Sequence, residues 1–114
     1  MIHTDYWAGN TVWSDGRLQA IIDWDYGCLG DPAFDVAYMW MDLSIVGRRP
    51  LGEQFILDYE EISGVETTNL KAYQLLALSR PLPDLGRWFP FWDEEKVARA
   101  ESRLKELIIE LTAG

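Results

Sequence analysis

The sequence predicts an α+β fold dominated by helix, in which one β-hairpin packs on a bundle of about four helices. The only segment that is convincingly rich in β-forming residues is short and folds back on itself. The rest of the chain carries apolar residues at helical spacing. With 114 residues, 48% of them apolar, the chain is long enough for one domain with its own core, and a disordered or fibrous class is excluded.

The hairpin is predicted over residues 11–13 and 18–22. These segments flank a turn centred on Asp15 and Gly16, and Asp-Gly is a favoured pair in two-residue hairpin loops. Alternation along the strands separates a polar face from an apolar one. The apolar face is expected to be buried and consists of Trp13, Leu18, Ala20, Ile22 and Trp24.

The polar face of the hairpin predicts a cation site. With a two-residue loop, Asn10 lies opposite Ile21, and Asp23 becomes the diagonal neighbour of Asn10, at about 7–8 Å between Cβ atoms. Amide and carboxylate oxygens at this separation can share Mg²⁺. Asp5, in the loop before Asn10, could approach the same site as a base for a hydroxyl nucleophile.

The first predicted helix begins at Pro32 and continues to about Ser44. Asp31 is suited to the N-cap and Pro32 to the first helical position. Apolar side chains occupy nearly the whole circumference of this segment, which is typical of a helix buried inside a larger body. We therefore expect it to form the centre of the helical part.

Three further helices are predicted. Two of them cover residues 51–63, which are followed by Gly64, and residues 67–79. The last helix begins near Asp93 and has the clearest amphipathic pattern. Its apolar stripe consists of Val97, Ala100, Leu104, Leu107, Ile108 and Leu111.

The net charge of −9 makes nucleic acid and anionic membrane surfaces poor partners, whereas cationic small molecules and metal ions stay open. The single cysteine, Cys28, cannot form an internal disulfide bond. No apolar run approaches the ~20 residues of a membrane span, and the first residues do not resemble a signal peptide. We expect a cytoplasmic protein.

Two motifs carry a family resemblance. The first is His-Thr-Asp-Tyr-Trp-Ala-Gly-Asn at 3–10, and the second is Ile-Ile-Asp-Trp at 21–24, followed by Gly-Asp-Pro-Ala-Phe-Asp-Val-Ala at 30–37. In this order and spacing they resemble the catalytic loop, the metal-binding segment and the following helix of aminoglycoside phosphotransferases and their choline-kinase-like relatives. This family is the small-molecule branch of the protein-kinase fold.

The resemblance implies a role for each matching residue. Asp5 is implied to be the catalytic base that orients the acceptor hydroxyl, and His3 is implied to brace the catalytic loop. Asn10 and Asp23 are implied to hold Mg²⁺ on the phosphates of ATP.

The helix after the metal-binding segment is implied to hold structural residues, Asp31 as a cap and Asp35 as a tether. One position departs from the pattern, since Thr4 stands where the family often has glycine.

The resemblance also implies that the chain is one partial domain, the C-terminal lobe of such an enzyme. Residues 1–30 would form the catalytic loop and the metal-binding hairpin, and residues 31–114 the helical part. We expect the N-terminal nucleotide lobe to be absent from these 114 residues, in which the only lysines are Lys71, Lys96 and Lys105. We expect transfer of phosphate from ATP to a hydroxyl of a small molecule, aminoglycoside- or choline-like and compatible with a cationic group, and negligible activity of the isolated 114 residues.

Two alternatives stay open at the level of sequence. The first is a non-enzymatic remnant or interaction module, which would bind itself or a partner chain through an exposed aromatic surface. Its candidate residues are Trp7, Trp13, Trp40, Trp88 and Trp92. The second is a haloacid-dehalogenase-like phosphatase, in which Asp23 would be the nucleophile and Asp25 the acid/base. The hairpin before Asp23 disfavours the parallel sheet that this second alternative requires.

Overall fold

A computed structural model describes residues 1–113 and confirms a mainly helical α+β fold. Two antiparallel strands form one small sheet, and helices make up most of the remaining chain. In chain order the elements are a 3-10 turn at Ala8–Asn10, strands β1 (Thr11–Ser14) and β2 (Arg17–Ile21), and helices α1 (Ala33–Ile45), α2 (Arg49–Ser63), α3 (Leu70–Ser79), α4 (Leu85–Trp88) and α5 (Glu94–Thr112).

Helix α1 is the centre of the core, because α2, α3 and α5 all pack against it. Eleven of its thirteen residues are buried, in agreement with its apolar sequence. The helix begins at Ala33, whose backbone N–H donates to Oδ1 of Asp31 at 2.9 Å. Asp31 therefore caps α1 as predicted, and Pro32 leads into the helix with helical dihedral angles.

Helices α2 and α3 differ from the predictions at their starts. Helix α2 begins at Arg49, earlier than predicted, because Pro50 is accommodated in the first helical turn. It ends at Ser63, as predicted, and the following Gly64 adopts a left-handed conformation with φ of 69°. Helix α3 begins at Leu70, later than predicted, because Asn69 is left-handed with φ of 59° and interrupts the helix.

Helix α5 confirms its predicted start and stripe. The side chain of Asp93 accepts the N–H of Lys96 at 2.8 Å and caps the helix. Its buried residues are Ala100, Leu104 and Leu107. The short helix α4 lies between α3 and α5, and Asp84 caps it by accepting the N–H of Arg87 at 3.2 Å. No helix in residues 1–113 combines the length and the apolar character needed to cross a membrane.

The hairpin turns at the predicted residues. Asp15 and Gly16 have φ of 52° and 72°, as a tight turn with two left-handed residues requires. Ser14 pairs with Arg17 and Trp13 with Leu18, in the predicted register. The turn chemistry of the sequence was therefore sufficient to place the loop.

The predicted register is wrong beyond these two pairs. A β-bulge lies between the pairs Trp13–Leu18 and Val12–Ala20, so that Gln19 has no partner and Thr11, instead of Asn10, pairs with Ile21. The carbonyl of Asn10 accepts the N–H of Ile22 at 2.9 Å. Because one extra residue exchanges the two faces of a strand, Asp23 is not the diagonal neighbour of Asn10.

The prediction that the apolar face of the hairpin is buried is also wrong. Trp13 is 60% exposed and Trp24 is 45% exposed, and the other members of the predicted face are exposed as well. The helices surround α1 and leave these side chains uncovered in the part of the chain that the structure describes. Strand alternation distinguishes the two faces but does not show whether a second layer covers either of them.

Candidate active site

The loop from His3 to Asn10 is attached to the helical core at its first residues. The backbone N–H of His3 donates to Oδ2 of Asp35 at 2.6 Å, and that of Thr4 donates to Oδ1 of the same carboxylate at 2.9 Å. Ile2 pairs with Cys28 in an isolated antiparallel bridge. Asp35 thus ties the loop to the first turn of α1, the tethering role that the sequence resemblance implied.

His3 braces the loop from inside. The ring is 1% exposed and packs against Trp24, with 4.6 Å between ring centroids. Its Nε2 lies 2.7 Å from the carbonyl oxygen of Ile22, and Nδ1 accepts the backbone N–H of Asp5 at 3.1 Å. This pattern corresponds to a neutral imidazole with the proton on Nε2. Both ring nitrogens are engaged with backbone groups, so His3 positions Asp5 and the residue before Asp23.

Asp5 lies at the centre of the loop's hydrogen bonds. Its Oδ1 accepts the hydroxyl of Tyr38 at 2.9 Å, and its Oδ2 accepts Nδ2 of Asn10 at 3.2 Å. The same Asn10 nitrogen also donates to the backbone carbonyl of Asp5 at 2.9 Å. The structure therefore brings Asp5, Asn10 and His3 together, as the sequence predicted for a site built around Asp5.

Tyr38 is a site residue that the sequence analysis missed. Burial raises the pKa of its hydroxyl, and the hydrogen bond to Asp5 and the charge of Asp5 raise it further, so that the phenol remains a donor to this carboxylate. Tyr38 lies one helical turn after Asp35, on the face of α1 that meets the loop. The three-residue spacing between Asp35 and Tyr38 was the feature of the sequence that could have indicated Tyr38 as a site residue.

Asp23 is placed differently from the other predicted residues. Its side chain is exposed, its backbone is left-handed with φ of 66°, and no hydrogen bond joins it to Asp5 or Asn10. The preceding residue, Ile22, is held by two hydrogen bonds. Its N–H donates to the carbonyl oxygen of Asn10, and its carbonyl oxygen lies within hydrogen-bond distance of Nε2 of His3. Asp23 therefore follows directly from an anchored position.

The donor set of Asn10 and Asp23 fits a hard divalent cation. Both side chains offer oxygen, which Mg²⁺ prefers, and magnesium commonly keeps several water or phosphate ligands beside one or two protein groups. Within residues 1–113 the amide oxygen of Asn10 accepts no hydrogen bond from another side chain or from the backbone, because only its nitrogen is used. No cluster of three His, Cys, Asp or Glu side chains in the described residues could enclose a metal alone.

A small cavity of about 210 Å³ opens beside Asp5. A second carboxylate, that of Asp42 on α1, is 7% exposed and lines the same space. The pKa of Asp42 is raised to about 6. Burial is the largest cause, the hydrogen bond from the backbone N–H of Ala8 opposes it, and the negative charge of Asp5 adds to it. The other walls are aromatic and consist of Trp7, Tyr38, Trp88 and Phe89.

Asp42→Asn is expected to stabilise the protein at neutral pH. The folded-state pKa of about 6 lies above the ordinary value of 3.8 for an aspartate. Folding then costs free energy once both states are ionised, and this cost grows as pH rises from about 4 to 6. The neutral amide avoids that cost and can still accept the N–H of Ala8. We expect a gain in the free energy of unfolding of up to about 3 kcal/mol near pH 7.5, from a shift of roughly two pKa units.

The measurement is urea unfolding of both proteins near pH 4 and near pH 7.5, which lie on either side of the folded-state pKa. The difference between the variant and the wild type should be small at the lower pH and large at the higher one. A difference that does not change with pH would contradict the assignment. Asp58→Asn, on the exposed surface of α2, is the matched control for the loss of one negative charge.

The structure disfavours the dehalogenase-like alternative. The described sheet has two antiparallel strands, and β2, which leads to Asp23, pairs only with β1. The nucleophile of that class would instead follow a strand of a parallel sheet. Asp25 is exposed and makes no side-chain hydrogen bond within residues 1–113, so the structure gives it no acid/base partner.

Comparison with known proteins gives one family. The family model APH, described as "Phosphotransferase enzyme family", matches residues 1–76, which include the loop, the hairpin, α1 and α2. No curated protein and no solved structure gives a significant match. The matched segment contains every residue that the loop geometry joins except Arg80, which donates to the carbonyl of Thr4 at 3.0 Å.

Proposed function

Because the chain belongs to the phosphotransferase enzyme family, we propose that it carries the catalytic loop and the metal-binding residues of an ATP-dependent enzyme. This enzyme would transfer phosphate to a hydroxyl group of a small molecule. The observation that carries the proposal is the arrangement at Asp5, whose two carboxylate oxygens each accept one hydrogen bond beside an open cavity. Such a carboxylate is oriented and still accessible to an acceptor.

Five residues have a role in this proposal. Asp5 accepts the proton of the acceptor hydroxyl, and Tyr38 and Asn10 hold its carboxylate in place. His3 keeps the backbone of Asp5 in position. Asn10 and Asp23 would hold magnesium, which when bound neutralises charge on the nucleotide phosphates.

The cavity supports an acceptor that carries a positive charge. Asp42 adds a second carboxylate to the one that receives the hydroxyl proton, and aromatic faces such as those of Trp7 and Trp88 attract cations. A protonated amine would also reduce the repulsion between Asp5 and Asp42. Aminoglycoside-like and choline-like molecules have the required combination of hydroxyl and cationic nitrogen.

The groups that clamp the nucleotide phosphates are proposed to lie outside these 114 residues. Reactions of this type use a phosphate-covering loop and a lysine, and the first lysine in the sequence is Lys71, on α3. The isolated chain is therefore expected to turn over ATP negligibly. The intact mass of the polypeptide in its native cell tests whether these groups lie on a further segment, since a mass well above 13.1 kDa means that an additional segment is present.

Asp23→Ala in the native polypeptide is expected to reduce phosphoryl transfer by about 10–100-fold at limiting Mg²⁺, because one oxygen ligand of the cation is lost. Transfer of labelled phosphate from ATP to a panel of amino alcohols and aminosugars measures the effect. Asp25→Ala removes an exposed carboxylate two positions away and serves as the matched control, with activity expected to be unchanged. Full transfer by Asp23→Ala would remove this residue from the metal site.

A second candidate function, an interaction module, is favoured by exposed aromatic surface. Trp13 and Trp24 are uncovered on the hairpin, and a cleft of about 510 Å³ with mainly apolar walls lies between the hairpin and α2. Trp40 does not contribute, contrary to the prediction, because it is 1% exposed in the core. Light scattering distinguishes the candidates, since a monomer at high micromolar concentration would argue against self-association.

A further inference from the structure

Arg80 connects the end of α3 to the catalytic loop. Its Nη1 donates to the carbonyl oxygen of Thr4 at 3.0 Å, across 76 positions of sequence. The guanidinium carbon lies 5.2 Å from the ring centroid of Phe34 and 5.7 Å from that of Tyr38, so that the charge rests against two aromatic rings of α1. Within residues 1–113 Arg80 forms no ion pair with a carboxylate.

Thr4 has a backbone conformation that needs such support. Its φ of 74° is left-handed, which is unfavourable for a β-branched residue. Three hydrogen bonds hold it: the N–H donates to Asp35, the hydroxyl donates to the carbonyl of Tyr26 at 3.2 Å, and the carbonyl accepts from Arg80. Strained residues persist where their surroundings determine their conformation in several ways, and they are frequent at functional sites.

The carbonyl of Thr4 belongs to the peptide unit that leads into Asp5. Rotation of this unit would move the N–H of Asp5 away from Nδ1 of His3, and with it the direction of the Asp5 side chain. Arg80 also contacts the ring of Tyr38, whose hydroxyl donates to Oδ1 of Asp5. A single guanidinium therefore touches both the backbone before Asp5 and a side chain that orients its carboxylate.

We propose that Arg80 is a positioning residue for Asp5, which acts by holding the Thr4 carbonyl and the Tyr38 ring together. The effect of this contact on catalysis rests on the proposed function. Its effect on the conformation of the loop does not depend on that function. Arg80 lies outside residues 1–76, the segment that the family model matches, and reaches the matched loop through its hydrogen bond to Thr4.

The first test is kinetic and uses the native polypeptide with saturating ATP and acceptor. Arg80→Met keeps most of the side-chain length and removes the donor, and kcat is expected to fall by about 10–100-fold, since small misplacement of a catalytic group has effects of this size. The KM for ATP should change by less than about threefold, because Arg80 makes no contact with Asn10 or Asp23. Arg80→Lys should recover most of kcat, and Arg87→Met, an exposed arginine on α4, should leave it unchanged.

The second test does not require activity. Hydrogen exchange is expected to become faster at the amides of Thr4 and Asp5 in Arg80→Met, with no change in the amides of α1. When Thr4→Gly relieves the left-handed strain, the same Arg80→Met change should loosen the loop less. Equal loosening in both backgrounds would contradict the link between Arg80 and Thr4.

The two tests separate this proposal from the proposed function. Intact phosphoryl transfer and unchanged amide exchange in Arg80→Met would overturn the role of Arg80 and leave the proposed function standing. Faster exchange in the variant, with no transfer by the wild type to any acceptor, would support the hold on the loop and refute its catalytic purpose. Loss of kcat in parallel with loss of α1 protection would show a general effect on folding and overturn the specific role.

Discussion

Phosphoryl transfer by the native polypeptide is expected to fall by about 10²–10⁴-fold when Asp5 is replaced by Asn, because the amide cannot accept the proton of the acceptor hydroxyl. The substitution also replaces one of the two acceptor oxygens that face Tyr38 and Asn10 by an NH₂ donor, so one of these hydrogen bonds loses its acceptor. The measurement is the rate of phosphate transfer from ATP at saturating acceptor.

Binding and stability identify the origin of this loss. The affinity for Mg–ATP, measured by calorimetry, should change little, because Asp5 is not one of the proposed metal ligands. Asp25→Asn, which alters an exposed carboxylate on the next loop, should keep full activity. If Asp5→Asn retained more than about a tenth of the wild-type rate, general-base catalysis by Asp5 would be excluded.

The largest expected effect on stability comes from Asp35→Ala. The carboxylate of Asp35 accepts the backbone N–H groups of His3 and Thr4, and each hydrogen bond to a charged acceptor contributes about 1.5–3 kcal/mol. Removal of both is expected to lower the free energy of unfolding by about 3–6 kcal/mol. Chemical denaturation measures the change.

Two variants make this prediction specific. Asp31→Ala removes a carboxylate that accepts one N–H at the same helix end, and its cost should be only about 1 kcal/mol. Asp35→Asn leaves one acceptor oxygen for two donors, so about half of the loss is expected, and this variant can be measured if Asp35→Ala does not fold. Equal losses for Asp31→Ala and Asp35→Ala would show that Asp35 caps a helix and does not anchor the loop.

Local patterns in the sequence predicted the parts of the fold that depend on neighbouring residues. The apolar circumference of α1, the Asp31 cap and the left-handed Gly64 each follow from positions a few residues apart. The turn at Asp15 and Gly16 is equally local. These features could be read because the residues that cause them are adjacent in the chain.

The register of the hairpin and the exposure of its apolar face could not be predicted from neighbouring residues. One unpaired residue, Gln19, shifts the pairing, and no local pattern distinguishes a regular strand from a bulged one here. The apolar face around Trp13 shows the correct alternation, but whether it is covered depends on the position of other elements.

The polar residues of the site could be predicted from the sequence, whereas the residues that hold them in position could not. Asp5, Asn10 and His3 lie within one short motif, so their meeting follows from the loop. Tyr38 and Arg80 reach this loop from α1 and from the end of α3, which are distant in sequence. Such contacts depend on helix packing, which a single sequence does not specify at the level of side chains.

The location of Asp35 and Tyr38 on α1 has a consequence for thermal inactivation. The groups that hold the loop belong to the most buried helix, so the loop cannot keep its geometry after this helix has separated from its neighbours. Local opening of surface segments normally precedes global unfolding. In the wild-type protein we therefore expect the loop to lose its geometry together with the core, and the temperature at which the proposed transfer activity is lost should coincide with the midpoint of global unfolding.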